Sequence, residues 1–443
     1  MNSDHIHWFR SAAPYINKHT DQVLVVHLSG TVIASERFTF LIHDLALLNS
    51  LGIKIVLVFG ARPQIDRRLA MSGHSSSYVN NNRITDAAAL SCIKEVVGAL
   101  RLELEARLSM GAANSPMAGA RLRVVSGNYV AARPVGVRNG VDHQYTGEVR
   151  RVDTGSLIRS LADQCIVLLS PLGFSPTGEV FNIKSEDVAT ATAVALGAAK
   201  LILISHGTGA STSRDEVGAQ LTLSDARGLI DERRRKSANT ERGGDDPLTR
   251  QLDAAVHACN NGVTRAHLLD HRIDGALLLE LFTRDGVGTM VSADDYDSKR
   301  QATIDDVAGI LKLIEPLELE GVLVRRSRDK LEREIDRFTV MERDGAIIAC
   351  AALYRFANTQ AMELACLAVH PHYRQSERGD ILLADLEKTA KEAGATTLFV
   401  LTTRTAQWFI ERGFEPSDID SLPVERKTLY NYQRRSRVLS KTL

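Results

Sequence analysis

The sequence lacks both long hydrophobic segments and an excess of charge of one sign. None of its 443 residues belongs to an apolar run long enough to cross a membrane, and the first ten, MNSDHIHWFR, are polar. Its 54 basic residues balance 54 acidic ones, which argues against general binding to nucleic acid or to a membrane surface. We therefore expect a soluble, cytoplasmic protein with no nucleic-acid or membrane partner.

Cysteine is also scarce, and its spacing shows no pattern. The five cysteines include no C-x-x-C pair and lie far apart, at Cys92, Cys165, Cys259, Cys350 and Cys366. An odd number at such spacings predicts neither a disulfide framework nor a metal cluster. We expect these residues to be reduced and packed in the core, and we expect no metal.

The chain is long for a single hydrophobic core and predicts two domains. A short polar segment, VSADDYDSKRQAT at 291–303, is typical of a connector between domains. The sequence thus predicts an N-terminal helix at 1–20, a first domain at 21–290, a linker at 291–300 and a second domain at 301–443.

Apolar, β-branched runs alternate with helical patterns through the first domain. The runs at 22–28 and 54–59 predict strands, and the 3.6-residue period at 37–51 predicts a helix between them. Further strands are predicted at 166–170 and 201–205. This alternation indicates an α/β fold with an open, mainly parallel sheet sandwiched by helices.

The predicted strand ends carry the informative residues, because ligands of open α/β sheets bind there. The segments HLSG at 27–30, FGARPQI at 59–65 and NIKSEDVATATAVAL at 182–196 resemble the amino-acid kinase fold, and acetylglutamate kinase in particular. Where that family has a lysine and paired glycines, however, this chain has His27 and the turn Gly60-Ala61-Arg62-Pro63. Because a neutral imidazole is a poor substitute for a fixed ammonium beside transferring phosphate, we predict an inactive kinase domain.

The charged segment ERRRKSANTERGGDD at 232–246 lacks large apolar residues. Acidic residues dilute its positive charge, so we predict a solvated or disordered loop rather than an RNA-binding patch.

Two later motifs, G-V-x-R-x-H and G-A-L-L-L-E-L-F-T-x-x-G-x-G-T between 262 and 289, resemble the arginine-inhibited acetylglutamate kinases and acetylglutamate synthases. The resemblance implies a regulatory site for L-arginine formed by His267, Glu280 and Gly286, with Tyr15 of the N-terminal helix nearby. The chemistry is suitable, since a carboxylate such as Glu280 matches the planar fork of a guanidinium.

The second domain contains a strand, a polar turn and a helix in close succession. Residues 362–369 are apolar and strand-like, RQSERGD at 374–380 forms the turn, and leucines at helical spacing follow. A second strand at 396–403 precedes AQWFIERGF. We also predict a helix from Ile304 through Leu313, a strand at 322–326 and a hairpin at 343–345.

This order of elements resembles the Gcn5-related N-acetyltransferase (GNAT) family, and the resemblance implies acetyl-CoA as a co-substrate. The turn would bind its pyrophosphate at a helix N-terminus, although Glu377 occupies the position of one of the family's glycines. Splaying of two neighbouring strands would leave backbone N–H groups for the acyl oxygen. The resulting cofactor-binding set is Cys366, Leu367, Val369, Arg374, Gln375, Ser376, Arg378, Gly379 and Asp380.

Acetyl transfer to an amine needs a base for the amine, donors for the carbonyl oxygen and an acid for the thiolate. Glu363 is the candidate base, because burial would raise its pKa into a useful range. Tyr430 and Tyr432 are candidate acids. Arg326, Arg434 and Arg435 are candidates for binding an acceptor with two carboxylates. Cys366 could in principle accept the acetyl group, but no base adjoins it in the sequence, and a buried thiol is the simpler interpretation.

A kinase-like domain followed by a GNAT domain resembles the bacterial acetylglutamate synthases. The resemblance implies acetyl transfer from acetyl-CoA to the α-amino group of L-glutamate, the first step of arginine biosynthesis, with feedback inhibition by L-arginine and a homo-hexameric assembly. Two alternatives stay open: an active acetylglutamate kinase with an accessory acetyl-CoA-binding domain, and a non-catalytic arginine sensor.

Overall fold

A computed structural model divides the chain into two compact units, Met1–Asp294 and Asp295–Leu443. The structure describes residues 3–74, 77–79, 82–110, 117–120, 122–207, 218–238, 245–283, 285–293, 298–343, 346–357, 359–371, 378–430 and 436–443. Within these ranges, no helix combines the length and the apolar character needed to cross a membrane.

The first unit is built on a large sheet of eight strands, and the predicted strands belong to it. Its strands and those of the smaller sheets are β1 Val23–Leu28, β2 Lys54–Phe59, β3 Tyr78–Val79, β4 Asn82–Arg83, β5 Arg123–Ser126, β6 Val130–Pro134, β7 Val137–Arg138, β8 Val141–Asp142, β9 Gly147–Val152, β10 Cys165–Leu169, β11 Leu172–Phe174, β12 Val180–Asn182, β13 Lys200–Ser205, β14 Gln220–Thr222, β15 Arg265–Asp270 and β16 Thr289–Ser292.

The large sheet has the order β14-β16-β15-β13-β1-β2-β10-β5. All neighbours pair in parallel except β15 and β16. The central strands are apolar along their whole length because helices cover both faces. Their packing against the sheet produces two hydrophobic clusters, one on each face.

The helices of the first unit supply these covering faces. They are α1 Ser3–His19, α2 Gly30–Ile33, α3 Phe38–Ser50, α4 Arg62–Met71, α5 Ala87–Leu108, α6 Thr154–Ala162, α7 Ser185–Leu196, α8 Leu223–Ala238, α9 Pro247–Asn260 and α10 Ala276–Phe282. A four-stranded sheet, β12-β11-β6-β9, and two short hairpins complete this unit. The predicted open, mainly parallel sheet between helices is confirmed.

The second unit has a mixed seven-stranded sheet in the order β17-β18-β19-β20-β21-β23-β22. Its strands are β17 Ser298–Gln301, β18 Phe338–Arg343, β19 Ala346–Arg355, β20 Ala361–Val369, β21 Thr397–Thr402, β22 Glu415–Ser417 and β23 Arg437–Thr442. Its helices are α11 Val307–Leu319, α12 Arg328–Arg333, α13 Arg378–Glu392, α14 Ala406–Ile410 and α15 Val424–Thr428, with 3-10 turns at Ile304–Asp306, Ile335–Arg337 and Ile419–Ser421.

The predicted strand at 322–326 is wrong, because these residues follow helix α11 without forming a strand, and the first two of them cap the helix. Gly321 adopts a positive φ of 71°. The N–H groups of Val322 and Leu323 then donate to the carbonyl of Leu317, at 2.8 and 3.0 Å. This is a glycine-dependent helix cap, which consumes the donors that a strand would have used.

Two further segments are more ordered than the sequence predicts. Residues 232–238, expected to lie in a loop, continue α8. Ile230 in the preceding turn is buried, and Lys236 donates to Glu232 at 2.6 Å, one helical turn away. Part of the predicted linker, residues 298–301, is the edge strand β17, held antiparallel to β18.

Candidate functional site

Strand β20 contains an irregularity at the place where the sequence predicts acetyl-group binding. Ala352 on β19 pairs with Ala365, but Cys350 pairs with Ala368, so β20 carries an extra residue between these pairs. Cys366 lies in this bulge and has a φ of 55°, a backbone conformation that residues other than glycine rarely adopt. Strained backbone of this kind occurs most often at functional sites.

The same strand separates from its other neighbour. Pairing between β20 and β21 runs from Ala361 to Leu364 and does not continue further along β20. The bulge therefore lies where the two strands part. The proposed acyl contacts Cys366, Leu367 and Val369 all lie beyond Leu364, the last residue of β20 that pairs with β21.

Glu363 lies on the paired part of β20 and is 7 % exposed. Its two carboxylate oxygens accept hydrogen bonds from Arg426 of α15, from Nε at 2.6 Å and from Nη2 at 3.1 Å. The geometry is a bidentate guanidinium–carboxylate pair, the strongest form of this contact. No local sequence pattern pointed to this partner, because Arg426 is one of several charged residues on a short, otherwise exposed helix.

Arg326 follows the cap of α11 and is half-buried. Its backbone N–H donates to Glu318 at 2.8 Å, and its Nη1 donates to the carbonyl of Val324 at 3.1 Å. Among the described residues, none accepts a hydrogen bond from its buried Nε. The pKa of Arg326 is raised: burial opposes this, but the charges of Cys366 and Tyr354 favour the guanidinium cation. The charge of Arg326 thus interacts electrostatically with Cys366.

The turn predicted to bind pyrophosphate leads into α13, which begins at Arg378. A Cβ on Gly379 would lie 3.1 Å from the indole of Trp408, so helix and indole pack closely here. Asp380 accepts hydrogen bonds from Arg412, which also lies over the Trp408 ring at 3.9 Å. The predicted residues Arg374, Gln375, Ser376, Tyr432, Arg434 and Arg435 lie outside the described residues.

Tyr430, one of the two candidate acids, lies in a small hydrophobic cluster with Phe399, Leu422 and Val438. Its hydroxyl donates to the carbonyl of Ser436 at 2.7 Å. That contact fixes the ring beside β23 and directs the phenolic proton toward the main chain.

In the first unit, the predicted arginine-site residues His267 and Glu280 are in direct contact. Nζ of Lys200 donates to Nε2 of His267 at 3.0 Å, and Nδ1 of His267 donates to Glu280 at 2.6 Å. The pKa of His267 is lowered, first by burial and then by Lys200. A neutral imidazole therefore connects a buried ammonium to a buried carboxylate.

The second oxygen of Glu280 is held by the loop that follows α10. The N–H groups of Val287 and Gly288 donate to it at 2.7 and 2.8 Å. Burial raises the pKa of Glu280, but these donors and His267 outweigh it and hold the pKa at about 2. Gly286 has a positive φ of 56°, and a Cβ there would lie 2.8 Å from the Glu280 carboxyl carbon. The predicted glycine is thus needed for the loop to reach this carboxylate.

Helix α1 joins this region through its last residue. Nε2 of His19 donates to the carbonyl of Leu281 in α10 at 3.2 Å. Burial, followed by the charge of Lys200, lowers the pKa of His19 to about 4. Tyr15 is half-buried and packs against the adjoining hydrophobic cluster. Lys200 and His19 were not predicted; the one available signal was a lysine at the start of a strand that is otherwise apolar.

The first unit also contains a cavity of about 260 Å³ at the carboxyl ends of its parallel strands. His27 borders it, is 1 % exposed and has a pKa lowered by burial. Its Nε2 lies 2.9 Å from the hydroxyl of Ser185 at the start of α7. An uncharged imidazole therefore occupies the strand end where the sequence comparison placed a lysine.

The two turns beside this cavity, at 28–30 and 60–64, are hydrogen-bonded to each other. The N–H of Gly60 donates to Leu28 at 2.7 Å, and the amide of Gln64 donates to the carbonyl of Gly30 at 2.7 Å. A Cβ on Gly30 would lie 2.7 Å from the ring of Pro63, which itself has no N–H to offer. These contacts use space and donors that a bound phosphate chain would need. Within the part of the chain that the structure describes, no cluster of three or more potential ligand side chains could hold a metal ion.

Two family models match the chain. The amino acid kinase family matches residues 22–270, and the acetyltransferase (GNAT) family matches residues 306–414. Both resemblances noted in the sequence are thereby confirmed, in the same order along the chain.

Similar proteins match along the full length. The amino-acid acetyltransferase of Pseudomonas putida is 54% identical over 99% of this chain and 100% of that protein, and the one from Azotobacter vinelandii has the same identity and coverage. N-acetylglutamate synthase from Neisseria gonorrhoeae, crystallised with coenzyme A and L-arginine, is 35% identical, with 99% of each chain covered and a TM-score of 0.86. The chain therefore belongs to the amino-acid acetyltransferase family, with an amino acid kinase domain followed by a GNAT domain.

Proposed function

We propose that the protein transfers acetyl from acetyl-CoA to the α-amino group of L-glutamate. The observation that carries this proposal is the bulge at Cys366, which lies where β20 separates from β21. A thioester fits such a gap because backbone N–H groups there can bind its carbonyl oxygen. The Neisseria gonorrhoeae enzyme, crystallised in one complex with coenzyme A and N-acetyl-glutamate, supports this choice of substrates.

The cofactor would lie with its acyl group against Cys366, Leu367 and Val369 and its pyrophosphate at the start of α13. The helix N-terminus offers N–H donors and the positive end of the helix dipole to a phosphate group. Arg378 and Gly379 begin this helix. The close packing of Gly379 on Trp408 holds the helix end in place.

The acceptor amino acid needs both orientation and the loss of a proton. We assign orientation to Arg326, whose charge interacts electrostatically with Cys366, and deprotonation to Glu363, directly or through water. The bidentate contact with Arg426 fixes the carboxylate of Glu363 in one orientation. Arg426 is therefore a positioning residue for the proposed base.

We further propose that L-arginine binds in the first unit near His267, Glu280 and Gly286 and inhibits the acetyl transfer. A guanidinium could replace the donors that now surround Glu280, with the neighbouring loop carbonyls and amides available to the amino and carboxyl groups. The gonococcal enzyme, crystallised with L-arginine, supports this ligand. Because His27 is neutral and the adjoining turns are mutually bonded, we infer that the kinase-like cavity no longer transfers phosphate.

We also propose a homo-hexamer in the cytoplasm, assembled through the first unit. Helix α1 presents three large apolar side chains to solvent: Ile6 at 49%, Trp8 at 44% and Phe9 at 63% exposure. Neighbouring apolar side chains of this size favour burial against another subunit. Light scattering of the full chain and of a variant lacking residues 1–19 tests this proposal. If both form assemblies with the same number of subunits, α1 does not contribute to oligomerisation.

A steady-state assay tests the proposed reaction. With acetyl-CoA and L-glutamate we expect free CoA and N-acetylglutamate in equal amounts, measured by thiol titration and mass spectrometry. L-Arginine should reduce the rate. Turnover with a peptide lysine but none with glutamate would overturn the proposal, and ATP-dependent phosphorylation of N-acetylglutamate would revive the kinase alternative.

A further inference from the structure

Two cysteines lie side by side on adjacent strands of the second unit. Cys350 on β19 is completely buried, and Cys366 in the β20 bulge retains 5% exposure. The thiol of Cys350 donates to the carbonyl oxygen of Cys366 at 3.7 Å, and both side chains belong to the same hydrophobic cluster. The sequence gives no hint of this pair, because the bulge brings together residues that a regular ladder would hold apart.

The two thiols are chemically unequal. Interaction with the Cys350 thiol lowers the pKa of Cys366; burial opposes this, and the guanidinium of Arg326 adds to it. The same interaction and burial raise the pKa of Cys350. Cys366 is thus the partner with more thiolate character and with some access to solvent, which are the properties of a thiol that reacts first with an oxidant.

We propose that Cys350 and Cys366 form a reversible disulfide when the protein meets hydrogen peroxide. The Cys366 thiolate attacks one peroxide oxygen, the O–O bond breaks, and the released hydroxide takes a proton to leave as water. The thiol of Cys350 then attacks the sulfur of the Cys366 sulfenic acid, and a second water leaves with its proton. Two thiols are oxidised, one peroxide is reduced, and a dithiol reductant reverses the change.

The disulfide would act on the acetyl-transfer site, a consequence that rests on the proposed function. A sulfur–sulfur bond of about 2.05 Å draws the two side chains closer than a non-bonded contact does. The bulge that carries the acyl-oxygen donors must therefore shift toward β19. Oxidation also removes the ionisable thiol of Cys366, which interacts electrostatically with Arg326, the residue assigned to the acceptor.

Peroxide treatment of the full-length protein tests this inference. After alkylation of free thiols and digestion without reductant, mass spectrometry should find a peptide linking Cys350 to Cys366, lighter by two hydrogens than the separate peptides. Acetyl transfer should fall by at least about tenfold, since displacing a reacting group by about 1 Å can cost about 100-fold. Dithiothreitol should restore both the mass and the rate.

Two variants at Cys350 serve as controls. Cys350→Ala and Cys350→Ser should keep the basal rate, form no linked peptide and accumulate a sulfenic acid at Cys366 that dimedone traps. Cys92→Ala, at a half-buried thiol in the other unit, should behave like the wild type.

The outcomes separate this inference from the proposed function. Absence of the linked peptide after peroxide, with Cys92 oxidised in the same sample, would overturn the inference. A linked peptide with an unchanged rate would overturn its effect on the site. A protein that never acetylates glutamate, yet forms the linked peptide, would leave the disulfide standing and refute the proposed function.

Discussion

At the scale of single residues, the contact between Glu363 and Arg426 gives the clearest test of the proposed active site. Removing one partner of a buried ion pair typically costs about 3–5 kcal/mol, because the other charge is left uncompensated. We expect Arg426→Gln to destabilise the second unit by a few kcal/mol and to lower kcat. Arg426→Lys should recover part of the stability and part of kcat, since lysine keeps the positive charge but cannot form the bidentate contact with the carboxylate.

A double-mutant cycle distinguishes pairing from independent effects. The variant with both Glu363→Gln and Arg426→Gln should be more stable than the sum of the single changes predicts, measured by urea denaturation. Strictly additive losses would contradict a functional pair.

Arg326 supports a prediction about substrate affinity. If its guanidinium binds a carboxylate of the acceptor, Arg326→Lys should raise KM for glutamate by about tenfold or more, while KM for acetyl-CoA stays within about twofold. The exposed neighbour provides a matched control, because Arg325→Lys should change neither constant. An equal rise in both constants would argue for general disruption of the site.

At the scale of elements, the loop after α10 depends on glycine for steric reasons. A Cβ on Gly288 would lie 2.5 Å from the carbonyl oxygen of Leu268 and would also contact Leu269. Gly288→Ala should displace the loop, remove an N–H donor from Glu280 and weaken the response to arginine by about tenfold or more. Gly228→Ala, at a helical glycine with no atom within 4 Å of the added carbon, should leave the arginine response unchanged. Isothermal titration with L-arginine measures both.

The junction between α1 and α10 predicts a pH dependence. The pKa of His19 falls from its usual 6.5 to about 4 in the folded chain, so the folded state favours the neutral imidazole. The neutral His19 therefore contributes to the free energy of unfolding in full above about pH 6.5. This stabilisation, up to about 3 kcal/mol, is lost as the pH falls toward 4. His19→Gln keeps a neutral donor for Leu281, so its stability should vary less over this window. Identical pH profiles of the melting temperature would contradict this interpretation.

Elements with a strong local pattern were predictable from the sequence, and those set by distant partners were not. The strands β1, β2, β13, β20 and β21 are apolar runs whose ends lie within a residue of the predicted bounds. By contrast, the cap at Gly321 turned an apolar segment into a helix end. The bulge at Cys366 could not be predicted, since no local signal marks a cysteine for a positive φ.

At the scale of the whole molecule, each hydrophobic cluster formed by the described residues belongs to a single unit. Of these clusters, two belong to the first unit and three to the second. We expect two transitions in calorimetry, with arginine raising mainly the first unit's melting temperature and acetyl-CoA mainly the second's. Glu280→Gln should abolish the first shift and keep the second. A single transition raised by both ligands would contradict two independent cores.

Family membership and the order of the two domains followed from motifs in the sequence, which also grouped His267 with Glu280 in one predicted site. The partners Lys200, Arg426 and His19 did not, because each comes from an element remote in sequence. A motif identifies the residue types that a reaction needs, whereas the contacts that orient them are products of the tertiary fold.

The left-handed backbone at Cys366 has a cost that bears on engineering this enzyme. A residue other than glycine held there gives up about 1–3 kcal/mol, out of the 5–15 kcal/mol that typically keep a domain folded. Selection for heat resistance alone would therefore favour sequences that flatten this strand. Such variants would have higher melting temperatures but lower turnover of acetyl-CoA. Screens on this scaffold should therefore measure turnover and thermal stability together.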